Sequence, residues 1–208
     1  METTNQQIIQ QFYSDILGQS KLQLVDSLFS DNYIQHSPRV KDGKSRFLEF
    51  LEKLQKLPKP ENTSKPFYRY IVDDNFVAVH LQIEFLSNEY AVLDLFRLEN
   101  GKIAEHWDAS ELIDSSTNTI EAVKGTVEIK GAPLTAKNKE LAKAFVQEVL
   151  INRSVSFQQF VGLDLKSHMA TEPSNKARSI SDYSNFNYKK YHKLIGNGNF
   201  VVTQSEAL

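Results

Sequence analysis

The chain contains no cysteine among its 208 residues. This absence excludes disulfide bonds, thiolate nucleophiles and thiolate metal sites, and it is consistent with a reducing cytoplasm, the compartment that we expect. An excess of charge of one sign is also lacking, since 24 basic side chains are balanced by 26 acidic ones and the formal net charge is -2. Such a balance provides no electrostatic attraction for nucleic acid or for an anionic membrane. We therefore expect neither of them as a partner.

Targeting segments and several well-known catalytic motifs are absent as well. The N-terminal stretch METTNQQIIQQFY is polar and then amphipathic, so it predicts neither a signal peptide nor a membrane span. The sequence has no glycine-rich phosphate loop, no nucleophile elbow and no zinc-binding helix motif. What remains is a globular chain with 40% apolar and 11% aromatic residues, enough to bury one good core or two small ones.

One pattern of apolar residues occurs twice in the chain. Residues 5–37 and 138–169 share the spacing of their apolar side chains, and each copy closes on a histidine, His36 or His168. A stretch rich in small and polar residues separates the copies and is typical of a linker. The sequence therefore predicts a tandem duplication, with a first domain at residues 1–115, a linker at 116–135 and a truncated second repeat at 136–208.

The second copy is predicted to be incomplete. The stretch IVDDNFVAVH, which ends at His80, is echoed by LIGNGNFVVTQ, in which Gln204 takes the position of His80. Nothing after Gln204 corresponds to residues 94–108, so either the chain was cut there or the copy completes its sheet with another chain. We expect this repeat to be catalytically inactive and to act as a pseudo-partner, which makes the protein a homodimer or a pseudo-dimer.

Within the first domain, periodicity predicts three helices and then a sheet. The first helix is capped by Thr3, Thr4 or Asn5 and ends at Gly18. A short second helix covers residues 22–29, and a third covers 42–57 before Pro58 and Pro60. The period then becomes two, and four successive strands with tight turns form an antiparallel meander. The predicted fold class is α+β, with the helices on one face of a curled antiparallel sheet.

Ionisable side chains interrupt the apolar rows of these strands. Asp94 stands in an otherwise apolar row, and His80 lies on the preceding strand. His106 and Asp108 share one face of the last strand, while Trp107 points to the other face because strand side chains alternate. The question is whether these groups meet on one side of the sheet.

The answer depends on the length of two turns. If residues 86–88 and 99–101 are both three-residue loops, then His80, Asp94 and His106 lie side by side across three strands. A two-residue turn at either place breaks the row, since a shift of one residue moves a side chain to the opposite face. We favour the three-residue interpretation, because the alternative distributes ionisable groups over both faces of a sheet that must bury one of them.

A carboxylate between two imidazoles in a partly dry cavity could exchange protons near neutral pH. Two other interpretations stay open. Strand histidines are most often hydrogen-bonded residues of a core or an edge. A histidine-carboxylate cluster could also bind a metal, although no tight spacing here implies three ligands of the correct geometry.

The order helix, helix, YIQHSP, helix, and then a meander with NFVAVH and LDLFRLENGKIAEHWD resembles the SnoaL-like group of the nuclear-transport-factor-2-like superfamily. This group is related to polyketide cyclases, and part of it acts in aldol condensation. The resemblance covers nearly all of the first domain, and the second domain matches only the first half of the pattern. It implies a cone-shaped α+β barrel, in which a curved sheet wraps against three helices around a pocket, usually assembled as a dimer through the sheet.

The resemblance also implies a mechanism without metal, Schiff base or cofactor. Asp94 would act as general acid and base and remove a proton alpha to a carbonyl, and His80 would donate a hydrogen bond to the developing enolate. The remaining residues that the resemblance places in the substrate pocket are His36, Tyr33, Phe96, His106, Trp107 and Asp108.

Two functional hypotheses follow. The first is a small cofactor-independent enzyme of the cyclase, aldol-condensation or isomerase type, acting on a small apolar carbonyl compound through Asp94. The second is a ligand-binding or assembly protein of the same fold, in which the pocket holds a metabolite without turnover. The fold alone does not decide between them.

Overall fold

The computed structural model of the chain describes residues 4–58, 68–113, 123–162, 168 and 186–208. The chain divides into two compact units, residues 1–113 and 114–208. Three predicted features lie at least partly outside the described residues: Pro60 after the third helix, the first part of the linker, and most of the segment that closes the second repeat on His168. In the described part, no helix is both long enough and apolar enough to cross a membrane.

Helical segments open the first unit. Thr4 caps the first of them through a capping box with Gln7, in which each side chain bonds to the other residue's backbone N–H. The segments, in chain order, are helix α1 (Asn5–Gln11), a π-helical continuation (Phe12–Gly18), a 3₁₀ turn (Leu22–Leu24), helix α2 (Val25–Leu28) and, after the first strand, helix α3 (Lys44–Leu54). The three predicted helical regions are thus present.

Five strands form the sheet of the first unit, in the spatial order β1-β5-β4-β3-β2. They are β1 (Phe29–Gln35), β2 (Tyr68–Asp73), β3 (Phe76–Phe85), β4 (Asn88–Glu99) and β5 (Lys102–Leu112). The four predicted strands of the meander are β2 to β5, and their antiparallel order is confirmed.

The prediction of a purely antiparallel sheet is wrong, because β1 pairs with β5 in parallel and makes the sheet mixed. The apolar spacing of residues 22–29 predicts a helix that includes Phe29, the first residue of β1. The segment becomes a strand because Phe29, Tyr33 and Gln35 alternate with exposed residues and are buried.

The core of the first unit lies between the helices and one face of the sheet. Its centre is aromatic: the ring centroid of Phe12 lies 5.5 Å from that of Phe29 and 5.7 Å from that of Phe96, and Phe29 lies 5.2 Å from Phe47. Burial of each such side chain contributes roughly 1.5–3 kcal/mol. Helix α3 supplies Phe47 and Leu51 to this core, as the helical period predicted. The aromatic cluster fixes the distance between the π-helix and β4, on which a polar site depends.

The second unit contains a helical region and a hairpin. The helical region begins with a 3₁₀ turn (Ala132–Leu134), continues as helix α4 (Thr135–Ala144) and a π-helix (Phe145–Ile151), and is followed by a further 3₁₀ turn (Phe157–Gln159). Strands β6 (Tyr188–Asn197) and β7 (Phe200–Ala207) pair in antiparallel orientation. Val149, Phe157 and Ile195 are buried within this unit.

Candidate active site

The turn between β4 and β5 has two residues, not three. Glu99 pairs with Lys102 across Asn100 and Gly101, whose φ angles of 52° and 72° are typical of a tight hairpin turn. The pairing then shifts, because Leu98 lies opposite Ile103 but Arg97 lies opposite Glu105. Ala104 is the extra residue of a β-bulge. The predicted pairing of Asp94 with His106 is therefore wrong in detail, since Asp94 pairs with Asp108.

Because of the bulge, Asp94 and His106 still lie on the same face of the sheet, as the sequence predicted. Phe96 pairs with His106, two residues along from the pair of Asp94 and Asp108. Since side chains alternate, all four point to the same side of the sheet. This inner face is the one that carries Val77, Val79 and Phe96 into the core.

The turn between β3 and β4 also has two residues, Leu86 and Ser87, and no bulge corrects it. Phe85 pairs with Asn88, so that Asp94 lies opposite Val79 and His80 lies opposite Leu93. The expected row of His80, Asp94 and His106 is therefore wrong in its first member, because His80 lies on the outer face of the sheet. There His80 Nδ1 lies 2.8 Å from a guanidinium nitrogen of Arg69.

Asp94 is held at the centre of the inner face. The residue is only 9% exposed, and its Oδ2 accepts a hydrogen bond from the hydroxyl of Tyr13, which lies in the π-helix. Its Oδ1 lies 3.4 Å from Nε2 of His106. The ring of His106 in turn stacks on Phe96, at 4.6 Å between centroids and 18° between planes. Asp94 thus has a phenol on one side and an imidazole on the other.

Strand β1 supplies the next layer of polar groups. Gln35 pairs with His106 across the parallel ladder, and its Oε1 lies 3.2 Å from His106 Nδ1. The amide nitrogen of Gln35 donates to the hydroxyl of Tyr33 at 3.0 Å. Burial raises the pKa of Tyr33 far above its ordinary value, and the charges of Asp94, Asp108 and Asp42 raise it further, while the bond from Gln35 lowers it. Tyr33 therefore stays a neutral phenol.

Two buried side-chain atoms lack a hydrogen-bond partner among the described residues, Nε2 of His106 and Oδ1 of Asp108. The 3.4 Å contact of Nε2 with Asp94 is short enough for an ion pair but lacks hydrogen-bond geometry. Buried polar atoms in folded proteins are nearly always paired. Two exceptions on the same face of one strand indicate a place where the polar groups of a ligand could bind.

The outer face carries a different group of polar residues. His36 stacks on Trp107 with ring centroids 4.4 Å apart, and its Nε2 lies 2.9 Å from Oε2 of Glu105. Arg97 donates to the other oxygen of Glu105 at 2.6 Å. Burial disfavours the ionised form of Glu105, but the hydrogen bonds from His36 and Arg97 outweigh it and lower its pKa.

The predicted site residues therefore separate into two sets. The structure brings Tyr33, Asp94, Phe96, His106 and Asp108 to the inner face. It places His36, His80 and Trp107 on the outer face, as strand alternation predicted for Trp107. Their individual roles stay predictions. Among the described residues, no group of three histidine or carboxylate side chains has the geometry to hold a metal ion.

Two residues of the inner face, Tyr13 and Gln35, were not predicted from the sequence. A signal was available for each. Tyr13 follows Ile9 by four positions and precedes Ile16 by three, so it lies on the buried stripe of the helix. Gln35 follows Tyr33 by two positions, which is the spacing of one face of a strand, and both side chains are buried.

One protein-family model matches part of the first unit. Residues 9–106 match the model of the SnoaL-like domain. A SnoaL-like domain lies in the first unit. The match begins within α1, ends in the first half of β5 and includes Asp94 and His106. None of the curated proteins matches the chain.

Solved structures similar to the SnoaL-like part each cover about half of the chain. An NTF2-like protein of unknown function from Cytophaga hutchinsonii is 17% identical, with 53% of this chain and 93% of that one covered and a TM-score of 0.43. A SnoaL-like polyketide cyclase from Agrobacterium tumefaciens is 16% identical, with coverages of 53% and 93% and a TM-score of 0.41. A putative polyketide cyclase from Streptomyces antibioticus is 18% identical, with coverages of 52% and 92% and a TM-score of 0.38.

Proposed function

We propose that the first unit is a cofactor-independent acid-base enzyme, which removes a proton alpha to a carbonyl in a small apolar substrate. The reaction would be of the aldol-condensation, cyclase or isomerase type. The observation that carries this proposal is the buried carboxylate of Asp94 between Tyr13 and His106, next to two buried polar atoms without a partner. A purely structural cluster would be expected to satisfy those atoms within the protein.

In the reactive form, the proton between Asp94 and His106 resides on Nε2 of the imidazole. Asp94 removes the alpha proton, and the electron pair of the broken C–H bond forms an enolate whose negative charge develops on the carbonyl oxygen. The Nε2–H group of His106 donates a hydrogen bond to that oxygen and stabilises it. In a condensation, the enolate carbon then attacks a second carbonyl, and the proton on Asp94 passes to the oxygen of that carbonyl. In an isomerisation, the enolate instead takes the proton from Asp94 at another carbon.

His106 takes the role that the family resemblance assigns to His80. The side chain of His80 lies on the outer face, across the sheet from Asp94, and no hydrogen bond can join the two. His106 shares the face of Asp94 and has a free donor position at Nε2. The register of the strands supports this reassignment.

Asp108 indicates one further property of the substrate. A carboxylate oxygen only accepts hydrogen bonds, so the ligand group that meets Oδ1 of Asp108 must carry a proton. A hydroxyl or enol group on the substrate meets this need. Tyr33 and Phe96 supply the aromatic wall on which the apolar part would rest.

The proposal is tested by hydrogen-deuterium exchange at the alpha carbon of a β-keto ester, followed by NMR. We expect Asp94→Asn to lower the enzyme-dependent exchange rate by about 10²–10⁴-fold, the usual range for loss of a general base. Asp31→Asn is the matched control, because this exposed aspartate pairs only with Lys44 among the contacts described. Full exchange by a folded Asp94→Asn variant would refute the proposal.

The same assay separates the two histidines. We expect His106→Gln to lower the rate strongly and His80→Gln to leave it within about twofold, since only His106 faces Asp94. The opposite pattern would restore the role that the family resemblance gives to His80.

For the second unit we propose that it is a truncated second copy of the first. Asn5 in α1 donates through Nδ2 to the carbonyl of Asp74 in the hairpin turn at 3.1 Å, and Asn138 in α4 donates in the same way to Gly198 at 2.7 Å. Both donors and both acceptors occupy equivalent positions in the repeated pattern. In each copy the α-helix also passes into a seven-residue π-helix, beginning at Phe12 or at Phe145.

This likeness favours a second candidate function, in which the repeat serves assembly and the protein is a homodimer or pseudo-dimer through it. Gln204 stands at the position of His80, and no acidic strand of the second unit corresponds to β4 among its described residues. Light scattering on the full chain and on residues 1–113 gives the test. A dimer that persists without the second unit would refute the assembly role.

A further inference from the structure

Gln35 makes contacts through both ends of its amide, in a position that is only 6% exposed. The amide nitrogen donates to the hydroxyl of Tyr33 at 3.0 Å. The amide oxygen accepts the backbone N–H of Ser37 at 3.0 Å and also lies 3.2 Å from Nδ1 of His106. Because the Ser37 N–H can only donate, the atom facing His106 is the oxygen of the amide.

This orientation decides which nitrogen of His106 carries a proton. An amide oxygen only accepts, so the contact with Nδ1 is attractive only when Nδ1 bears hydrogen. The other nitrogen, Nε2, then faces Asp94 Oδ1 at 3.4 Å and is the one that gains and loses a proton. Without the amide oxygen, Asp94 would be the remaining acceptor next to the ring, and a neutral His106 would place its hydrogen on Nε2.

The position of Gln35 is itself fixed by the backbone. Its N–H donates to Oδ1 of Asp42 at 2.8 Å, and the same carboxylate oxygen accepts the N–H of Gly43 at 2.7 Å. Gln35 also pairs with His106 in the parallel ladder of β1 and β5. The backbone of Gln35 is therefore held by strand pairing and by the loop that Asp42 closes. Its side-chain amide is held by the hydrogen bonds with Tyr33 and Ser37.

We propose that Gln35 is a positioning residue that holds His106 in the Nδ1–H form and so leaves Nε2 for proton exchange with Asp94 and the substrate. The catalytic consequence rests on the proposed function, whereas the tautomer itself does not. The ionisable groups that surround the imidazole are Asp94 from β4, Asp108 from its own strand, Tyr33 from β1 and Tyr13 from the π-helix through Asp94.

The test is ¹⁵N NMR of the histidine rings in the full chain, from about pH 5 to about pH 8, the interval in which imidazoles titrate. His106 is assigned among the five histidines by its loss in a His106→Gln variant. In the unmodified protein we expect Nδ1 to keep its hydrogen throughout while only Nε2 changes. A neutral His106 whose hydrogen sits on Nε2 would overturn the proposal without any variant.

Substitutions at Gln35 sharpen the result. We expect Gln35→Leu to move the hydrogen of neutral His106 to Nε2, and Gln35→Glu to retain it on Nδ1, because a carboxylate still accepts there. Asn32→Leu makes the same polar-to-apolar change on the exposed side of β1 and should leave His106 unaltered. Should Leu prevent folding, Gln35→Met is closer in shape and gives the same readout.

An unchanged Nδ1–H form in the apolar variant would also overturn the proposal. No substrate is needed for this measurement. If the exchange assay shows no activity, the proposed enzymatic function is refuted. The NMR measurement still decides whether Gln35 sets the tautomer of His106.

Discussion

At the scale of single residues, the outer face of β5 stabilises the fold through Glu105. Its carboxylate, on β5, joins Arg97 on β4 to His36, the residue that directly follows β1. The pKa of Glu105 lies below its ordinary value of 4.5 because these hydrogen bonds outweigh its partial burial. The fold therefore favours the ionised form of this group.

We expect Glu105→Gln to lower the free energy of unfolding by about 1–3 kcal/mol near neutral pH, the usual size of hydrogen bonds to charged groups. A lowered pKa adds stability that is complete above the ordinary value and disappears as the pH falls through the folded-state value. The difference between the two proteins should thus shrink as the pH falls below about 4.5. Trp107 is the only tryptophan of the chain, and its fluorescence in urea follows the first unit.

Glu99→Gln is the control, because Glu99 bonds to the same arginine but its side chain is 60% exposed. Its effect should stay within about 0.5 kcal/mol. Equal losses in both variants, or a Glu105 effect independent of pH, would contradict the assignment.

Residues of the candidate site could be predicted in part. Asp94, His106 and Asp108 were found because polar side chains in apolar strand rows are unusual. The predicted face of His80 was wrong because it depends on the turn at Leu86 and Ser87. These two residues adopt φ angles of 50° and 62°. Such left-handed angles are ordinarily the property of Asn and Gly, so the sequence offered no sign of a two-residue turn there.

At the scale of elements, the hairpin of β4 and β5 depends on its turn for the placement of His106. Gly101 has a φ of 72°, and a Cβ added to it would meet no atom within 4 Å. The cost of a side chain at this position is therefore confined to the backbone conformation.

We expect Gly101→Ala to lower the free energy of unfolding by about 1–2 kcal/mol, the penalty for an L-residue in the left-handed region. Asn100→Gly, at the neighbouring position with φ 52°, should be neutral or slightly stabilising. Urea denaturation followed by Trp107 fluorescence measures both variants. An alanine at 101 that costs nothing would show that the turn changes type.

Elements with a long and regular period were predictable, and those that depend on pairing were not. The four strands of the meander and helix α3 follow from local patterns. Strand β1 was missed because the helical spacing of residues 22–29 runs into its first residue and because its parallel partner, β5, lies far along the chain. The π-helical continuation of α1 was missed because its side chains keep a nearly helical spacing while the hydrogen bonds change.

At the scale of the whole molecule, each of the two compact units has a hydrogen bond from an asparagine side chain in a helix to a backbone carbonyl in a hairpin turn. The bond of Asn138 is partly buried, and that of Asn5 is exposed. Their shared position supports the proposed duplication more directly than the shared apolar pattern does, because a hydrogen bond depends on the identity of both partners.

We expect Asn138→Ala to lower the stability of the second unit by about 1 kcal/mol and Asn5→Ala to lower that of the first by somewhat less, as for single neutral hydrogen bonds. Calorimetry of the full chain gives the thermal transitions, and Trp107 fluorescence identifies the one that belongs to the first unit. If Asn138→Ala also shifts the transition of Trp107, the expectation that each variant destabilises only its own unit is wrong.

The single extra residue at Ala104 has a consequence for how this chain is compared with others. Up to Ile103 the inward positions of β5 are odd-numbered, and from His106 onward they are even-numbered. A chain that kept all of these residues but lacked the bulge would turn Glu105 and Trp107 toward the core, so a relative without the extra residue should be aligned with a gap at Ala104 and not at the Asn100–Gly101 turn. Placed at the turn, the same gap would match inner residues of one protein with outer residues of the other between the turn and the bulge, at residues 102–104.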